Sequence, residues 1–272
     1  MKKVPTAVIQ VNAGPDKEVN LENAARLIRR AARNGARLLA LPELFNWRGS
    51  TREIAKSSEA LSGYTFRKMA GLASSLNIFL LCGSILEINP RSKRPFNTSF
   101  LLSPQGQCIA KYRKIHLFKL RVPGKTVIDE QSVYSNGKVV KSASTPFGTV
   151  GITICYDLRF PELYRSLTYQ GAEIIFIPSA FTFDTGKAHW ETLIRARAIE
   201  NQVYIIAPNQ CGTGPSDTPN YGHSMVVDPW GTVIAMCKNE EKIIYAELDL
   251  KYLKKVRTKL PALSHNRIKS IY

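Results

Sequence analysis

Short, nearly unbroken apolar runs recur along this chain, separated by stretches with helical periodicity, and this alternation is the strongest constraint on its fold. Residues 4–11, 38–41, 78–82, 149–154, 174–177 and 203–207 are such runs, and each predicts a strand. Between them, Asn20 is expected to cap a helix that ends at Gly35, with Leu21, Ala24, Ala25, Ile28, Ala31 and Ala32 on its apolar face. Further helices are expected over 64–76, over 162–169 behind Pro161, over 188–201, and near 252–260 before Pro261. Residues 96–102 and 107–112 predict a hairpin around Ser103-Pro104-Gln105-Gly106. Residues 224–227, 232–235 and 243–248 add strands. The pattern suggests an α/β protein with two sheets and helices outside them. No linker, sequence repeat or low-complexity segment divides it, so residues 1–272 are expected to form a single domain.

Composition narrows the class. The chain has 272 residues, 44% of them hydrophobic, which is outside the disordered range and enough for a large core. No apolar run approaches the roughly 18 residues of a membrane span. Met1-Lys2-Lys3 could begin a signal peptide, but residues 4–12 are interrupted by polar side chains and lack a small-residue cleavage site. The five cysteines (Cys82, Cys108, Cys155, Cys211, Cys237) are odd in number and form no CxxC pair, which argues against disulfides and for a reducing cytoplasm. The four histidines (His116, His189, His223, His265) lack ligand spacing, and no metal site is expected. The net charge of +17 is spread out, as in Arg26, Arg29, Arg30 and Arg33 or Lys251, Lys254, Lys255, Arg257 and Lys259. Helical spacing makes these solvated faces. Neither a nucleic-acid nor a membrane partner is expected, although the charge could attract an anionic substrate.

Three segments carry chemistry. Cys155 ends the strand run 149–154 and opens Cys155-Tyr156-Asp157-Leu158-Arg159-Phe160-Pro161-Glu162-Leu163, a strand-to-helix turn that resembles a nucleophile elbow. Glu43, in Leu41-Pro42-Glu43-Leu44-Phe45, lies at a strand's carboxyl end, and its apolar neighbours should raise its pKa by desolvation and make it a proton acceptor near neutrality. Lys114, in Lys111-Tyr112-Arg113-Lys114-Ile115-His116-Leu117-Phe118, could stabilise an oxyanion. Beside such groups, Cys155 should carry the largest thiolate fraction of the five cysteines.

Taken together, these motifs resemble the nitrilase superfamily of carbon–nitrogen hydrolases, with a Glu-Lys-Cys catalytic set. The likeness continues through Gly186-Lys187-Ala188-His189-Trp190-Glu191, the stretch 195–202, and Tyr221-Gly222-His223-Ser224-Met225-Val226-Val227-Asp228-Pro229-Trp230-Gly231. It is nearest to the branch containing deaminated glutathione amidases and ω-amidases. It implies a four-layer αββα sandwich that pairs into a homodimer or higher homo-oligomer, and a cofactor-free hydrolase of linear amides. Glu43 would act as base, Cys155 as nucleophile forming a thioester, and Lys114 with the Tyr156 N–H as oxyanion donors, giving acid and ammonia. A second glutamate is implied beyond Val122-Pro123-Gly124-Lys125; Glu130 is carried over, with Asp129 competing. The loop 114–138 looks long and irregular, as site-lining loops often are.

Arg159 reads either as a helix-surface partner of Glu162 or as a fork for a substrate carboxylate, and the resemblance favours the fork. Phe181 and Thr182 follow another strand's carboxyl end and are candidate pocket residues, whereas His189 and Trp190 read as core. The chain ends at Tyr272 without the long tail of filament-forming true nitrilases, which together with Arg159 favours a carboxylate-bearing amide over a nitrile. A cysteine–histidine hydrolase would need a histidine base, and the local papain-type and caspase-type signatures are absent. A non-catalytic basic module would have no use for Glu43, Lys114 and Cys155.

Overall fold

In the computed structural model, which describes residues 3–120 and 128–268, the chain lays down a similar series of elements twice. The first series is β1 (Val4–Gln10), α1 (Lys17–Arg33), β2 (Leu38–Ala40), a short α2 (Ile54–Ser57), α3 (Tyr64–Leu76), β3 (Phe79–Glu87), β4 (Phe96–Leu102) and β5 (Cys108–Arg113). A two-stranded sheet of β6 (Lys119–Leu120) and β7 (Ile128–Asp129) follows. The second series is β8 (Ala143–Thr145), β9 (Gly148–Ile152), α4 (Pro161–Tyr169), β10 (Ile174–Phe176), α5 (Phe183–Asn201), β11 (Tyr204–Ala207), β12 (Met225–Val227) and β13 (Val233–Met236). Strand β14 (Lys242–Leu248) then returns to the first sheet, and α6 (Leu250–Lys259) follows.

Among the described residues the large sheets run β14-β1-β2-β3-β4-β5 and β13-β12-β11-β10-β9-β8. In each, three parallel strands (β1, β2, β3 and β9, β10, β11) are connected through helices and flanked by antiparallel neighbours. The sequence carries no repeat that announces this duplication, because the topology follows from the order of strand and helix signals and not from residue identity.

Alternation along the strands assigns the layers. Val8, Leu38, Ala40, Leu81 and Leu101 pack with Val150, Ile152, Ile174 and Ile206 of the second sheet. Their neighbours Ala7, Ile9, Leu39, Leu41, Leu80 and Leu102 instead meet Leu21, Ala25 and Ile28 of α1 and Met69 and Leu72 of α3. The outer face of the second sheet is covered by Leu163 and Leu167 of α4 and Trp190 and Ile194 of α5. The result is the αββα sandwich that the family resemblance implied.

Several element ends differ from expectation. Helix α1 starts earlier, because Asp16 is its N-cap and accepts from the Val19 N–H at 3.1 Å. Asn20 lies inside the helix and ties it to the loops instead, donating to Gly14 O and Asn46 O. Helix α5 begins at Phe183, so Gly186 and Lys187 are helical. Between β9 and α4 a 3-10 turn, Cys155–Arg159, separates the nucleophile candidate from the helix that Pro161 opens. The loop 114–138 contains β6, β7 and the 3-10 turn Glu130–Ser132, and Val122-Pro123-Gly124-Lys125 lies outside the described residues.

Candidate active site

The first sheet supplies Glu43 and Lys114, and the second supplies Cys155. After β2 the chain turns at Pro42, whose carbonyl presses on β3 so closely that a Cβ on Gly83 would lie 1.8 Å from it. Only glycine admits that approach. The Leu44 N–H donates to Ser84 Oγ at 2.9 Å, and Gln210 Nε2 donates to Glu43 O at 2.9 Å, so the Glu43 backbone is held from both sheets. Lys114 extends the ladder of β4 and β5, its N–H donating to Asn97 O at 2.8 Å. Alternation from Tyr112, which sits in the inter-sheet core, places the Lys114 side chain between the sheets with no exposure to solvent. A Cβ on Gly137 would meet Arg113 O at 2.0 Å, and this tight return brings residues 130–137 back against the lysine.

At the junction, Lys114 Nζ lies 2.8 Å from Glu43 Oε1 and 2.9 Å from Glu130 Oε2. Asn97 Nδ2 donates to Glu43 Oε1 at 2.7 Å, and the Ala180 N–H donates to Glu43 Oε2 at 2.9 Å. Glu130 Oε2 accepts from the Phe118 N–H at 2.8 Å. The Cys155 thiol lies near enough to Glu43 and Lys114 for both to act on its ionisation. Of the competing acids, Glu130 therefore joins the cluster, while Asp129 pairs with Lys119 at 2.6 Å.

The electrostatics depart from the sequence expectation. Burial alone would raise the Glu43 pKa, but Lys114, the Cys155 thiol and Asn97 all favour its ionised form and hold it below the usual carboxylate value. That cation comes from a distant segment, which inspection of the apolar neighbours of Glu43 could not include. Glu130 carries the raised pKa, from burial and then from the charge of Glu43. The Lys114 ammonium is held well above its ordinary value by the two glutamates, despite burial. Burial and Glu43 push the Cys155 thiol well above its ordinary value. Cys155 is therefore a thiol at rest, and the expectation that it carries the largest thiolate fraction of the five cysteines gains no support: the thiol faces carboxylates as well as an ammonium, and its proton must leave as the sulfur attacks.

Asp157, fully buried, locks the nucleophile turn to the lysine loop. It accepts from the Ile154 N–H at 2.8 Å, the Tyr112 hydroxyl at 2.8 Å and the His116 N–H at 3.0 Å, and lies 2.7 Å from His116 Nδ1. The His116 ring stacks on Phe160 with centroids 3.7 Å apart. Cys155 itself sits at φ 48°, a left-handed conformation that side chains adopt at a cost of about 1–3 kcal/mol. Replacing Asp157 with Asn should strand at least one of its donors. Urea denaturation should show a loss of about 1–3 kcal/mol, with kcat falling in parallel. Unchanged stability and rate would show that the turn holds without this anchor.

Arg159 lies beside two aromatic rings next to the nucleophile turn. Its guanidinium lies 5.8 Å from the Tyr156 ring centroid and 5.5 Å from that of Phe181, with Nη1 and Nη2 each 3.4 Å from His189 Nδ1. His189 is thus exposed and near the site, not in the core as expected, while Trp190 is fully buried. Phe181 is buried, and its N–H donates to Asn209 Oδ1 at 3.0 Å. Thr182 precedes α5, its Oγ1 2.7 Å from that of Thr185. Asp157 and His116 stood inside the motifs quoted from the sequence, so their type and position were legible though their contact was not. Asn97 and Gln210 carried no signal, since an amide in or after a strand looks ordinary in one dimension, and Ala180, read with Phe181 and Thr182 as pocket lining, instead donates its N–H to Glu43. Among the described residues no three His, Cys, Asp or Glu side chains come together as a metal-holding group.

Comparison with known proteins agrees with this geometry. The model of the carbon-nitrogen hydrolase family matches residues 6–258. The chain is 43% identical over 266 residues to the deaminated glutathione amidase of Bos taurus, covering 96% of this chain and 81% of that protein. It is 38% identical over 261 residues to omega-amidase NIT2 of Mus musculus, covering 96% and 94% of the two chains. Among solved structures, the C. elegans NitFhit protein superposes with a TM-score of 0.92 at 39% identity over 97% of this chain, which spans 65% of that longer one. An amidase from Nesterenkonia sp. AN1, at 26% identity and TM-score 0.78 over 95% of this chain and 98% of its own, has a structure with acrylamide added to its active-site cysteine.

Proposed function

The chain belongs to the carbon–nitrogen hydrolase family and hydrolyses amide bonds, and we propose that Cys155 does so through a thioester on a small, carboxylate-bearing linear amide. The carrying observation is the buried Glu43–Lys114–Glu130 cluster, with the Cys155 thiol under the electrostatic influence of all three. As Sγ attacks the amide carbon, Glu43 takes the thiol proton. Lys114 Nζ and the Tyr156 N–H receive the oxyanion; the Cys155 and Asp157 N–H groups on either side are already bonded, to Pro178 O and Ile154 O. The C–N bond breaks as Glu43 returns the proton to nitrogen, releasing ammonia from a primary amide or an amine from a secondary one. Water then attacks the thioester while giving a proton to Glu43, which passes it to the departing sulfur, and the acid is freed. Glu130 holds Lys114 in place from the side opposite Glu43 and, with its raised pKa, is suited to orient the water.

Arg159 recognises the substrate carboxylate against the Tyr156 and Phe181 rings, with Thr182 at the same wall. The proposed substrate is a 2-oxo acid amide such as α-ketoglutaramate or deaminated glutathione, the second of which is in the name of the Bos taurus relative. Assaying acid formation from carboxylate-bearing amides, neutral short amides and simple nitriles tests this. Arg159→Ala should lower kcat/KM on the carboxylate-bearing amides by about 10- to 100-fold and spare neutral amides. Equal loss on both would reduce Arg159 to a structural role, and faster turnover of nitriles than of any amide would overturn the amidase assignment.

The whole chain acts as one domain in this proposal, in the cytoplasm and as a homodimer. The five free cysteines suit a reducing compartment, and no helix among the described residues is long and apolar enough to cross a membrane. Exposed Ile199 on α5 and the nearby Trp230 offer apolar area for a helix-side dimer contact. Sedimentation equilibrium at micromolar concentration should return twice the 30.4 kDa chain mass.

A further inference from the structure

The hydrogen bonds around the two carboxylate oxygens of Glu43 are unevenly shared. Oε1 accepts from Asn97 Nδ2 at 2.7 Å and from Lys114 Nζ at 2.8 Å. Oε2 accepts from the Ala180 N–H at 2.9 Å and from no other N–H group among the described residues. A carboxylate oxygen offers about two lone-pair sites, so Oε1 is filled and Oε2 keeps one open. The donors also divide by origin. Asn97 on β4 and Lys114 just beyond β5 belong to the first sheet. Ala180 follows β10 of the second sheet, shortly after Pro178, whose carbonyl accepts the Cys155 N–H at 3.0 Å. Oε2 is thus the oxygen on the nucleophile's side.

Asn97 is fully buried, and alternation with Leu101 puts it on the face of β4 that meets the second sheet. Its backbone carbonyl accepts the Lys114 N–H at 2.8 Å, so one residue touches the main chain of the lysine and the side chain of the base. Its own Oδ1, equally buried, accepts no hydrogen bond among the described residues. Buried amides are generally satisfied at both ends. Turning this one over would set Oδ1 against Oε1, acceptor against acceptor, so its orientation serves the carboxylate at the expense of the amide. An amide neither gains nor loses a proton near neutrality, and this donor therefore stays in place on Oε1 while a proton comes and goes beside it.

We infer that Asn97 is a positioning residue for the base, which with Lys114 fills Oε1 and so leaves Oε2 as the oxygen that takes and returns the proton. The proton leaves Sγ for the open lone pair of Oε2 as the S–C bond forms, and passes from Oε2 to the amide nitrogen as the C–N bond breaks. Oε1 stays bonded to Asn97 and Lys114 throughout. This rests on Glu43 being the base in the mechanism above and extends that reading to a single atom and to the residue that sets it. Burial works against ionisation of Glu43, and the Asn97 donor is among the groups that favour it. The other groups that act on Glu43 are Lys114 and Glu130 from the lysine loop, Cys155 from the second sheet, and Arg48 and Tyr134. All are unchanged when Asn97 alone is replaced.

The test follows hydrolysis of α-ketoglutaramate and alkylation of Cys155 by iodoacetamide, each against pH, in wild type, Asn97→Leu, Asn97→Ser, Thr98→Val and Glu43→Gln. Protonation of Glu43 sets the acid limb of both profiles. Loss of the donor raises the Glu43 pKa, so both limbs should move up by about 1 pH unit in Asn97→Leu and Asn97→Ser, as expected for one hydrogen bond to a charged group. On the plateau, kcat should fall about 10-fold with KM within about 2-fold, because the base is no longer held with Oε2 toward the sulfur. Thr98 donates to Glu87 Oε2 at 2.7 Å from the other face of β4, and Thr98→Val should leave both limbs in place. Unmoved limbs in the Asn97 variants, or an equal shift in Thr98→Val, would reduce Asn97 to a support of β4 and overturn the inference. A shift confined to Asn97→Leu would be desolvation by its methyl groups and would overturn it too, and a moved limb with an unchanged plateau would remove the assignment of Oε2. If Asn97→Leu does not fold, Asn97→Ser, too short to reach Oε1, carries the same expectations. Glu43→Gln separates this inference from the reading beneath it: if that variant alkylates and turns over like wild type, Glu43 is not the base. Alkylation needs no substrate, so the inference is decided even if α-ketoglutaramate is not hydrolysed.

Discussion

Cys155→Ala should lower turnover by about four to six orders of magnitude while leaving substrate binding and the circular dichroism spectrum near those of wild type. The expected loss is large because no other cysteine can substitute. Cys82 is fully buried in the layer beneath α1 and α3, Cys108 is on the edge strand β5, and only Cys155 of the five has Glu43 and Lys114 among the groups that act on its thiol. Glu43→Gln should approach the same loss for a related reason. Since the Cys155 thiol is protonated at rest, removing the acceptor of its proton leaves no thiolate to attack. Electrophile labelling separates the two defects. Slow, activated reagents should still reach Cys155 in wild type, and the rate of that reaction should drop in Glu43→Gln. Retention of turnover above about 1% of wild type in Cys155→Ala would mean that another group is the nucleophile.

Lys114→Ala should be nearly as damaging, and in two measurements at once. Loss of an oxyanion donor costs about 10²- to 10³-fold in kcat. The variant also leaves Glu43 and Glu130 facing each other in the interior with no cation, and breaking a buried ion pair costs about 3–5 kcal/mol. Part of that is recovered when the glutamates take up a proton, which disables Glu43 as a base and deepens the kinetic loss. Lys114→Arg keeps the charge but forces a wider, planar group into a site with no solvent exposure, so it should also lose at least about 10²-fold. Unfolding by urea and steady-state rates of both variants check this. A Lys114→Ala enzyme of normal stability and rate would return the lysine to the surface charge it resembles in sequence.

Much of the site was legible before folding because its chemistry sits at strand ends, where sequence patterns are clearest. Helix α3 and the hairpin of β4 and β5 matched their expected limits closely, since each is bounded by turn residues: Asn77 at φ 52° and Gly106 at φ 74°. The start of α1 was misplaced because Asp16 and Asn20 are both good caps, and only the loop contacts of Asn20 reveal which one the helix uses. Protonation was the least legible property. The apolar neighbours of Glu43 are adjacent in sequence, whereas Lys114 and Asn97 arrive from another strand pair and reverse the sign of the shift.

The doubled topology has a mechanical consequence. Each sheet has its own helices and could keep its secondary structure if the two drew apart, yet the base is anchored in one and the nucleophile in the other. Proton transfer between Glu43 and Cys155 tolerates little change in distance, so catalysis gauges the separation of the two layers far more finely than far-ultraviolet spectroscopy does. Mild denaturant, pressure or a small inter-sheet substitution such as Leu81→Ala should therefore silence the enzyme before its strands or helices melt, leaving a folded but disengaged form in which the two halves of the reaction centre no longer meet.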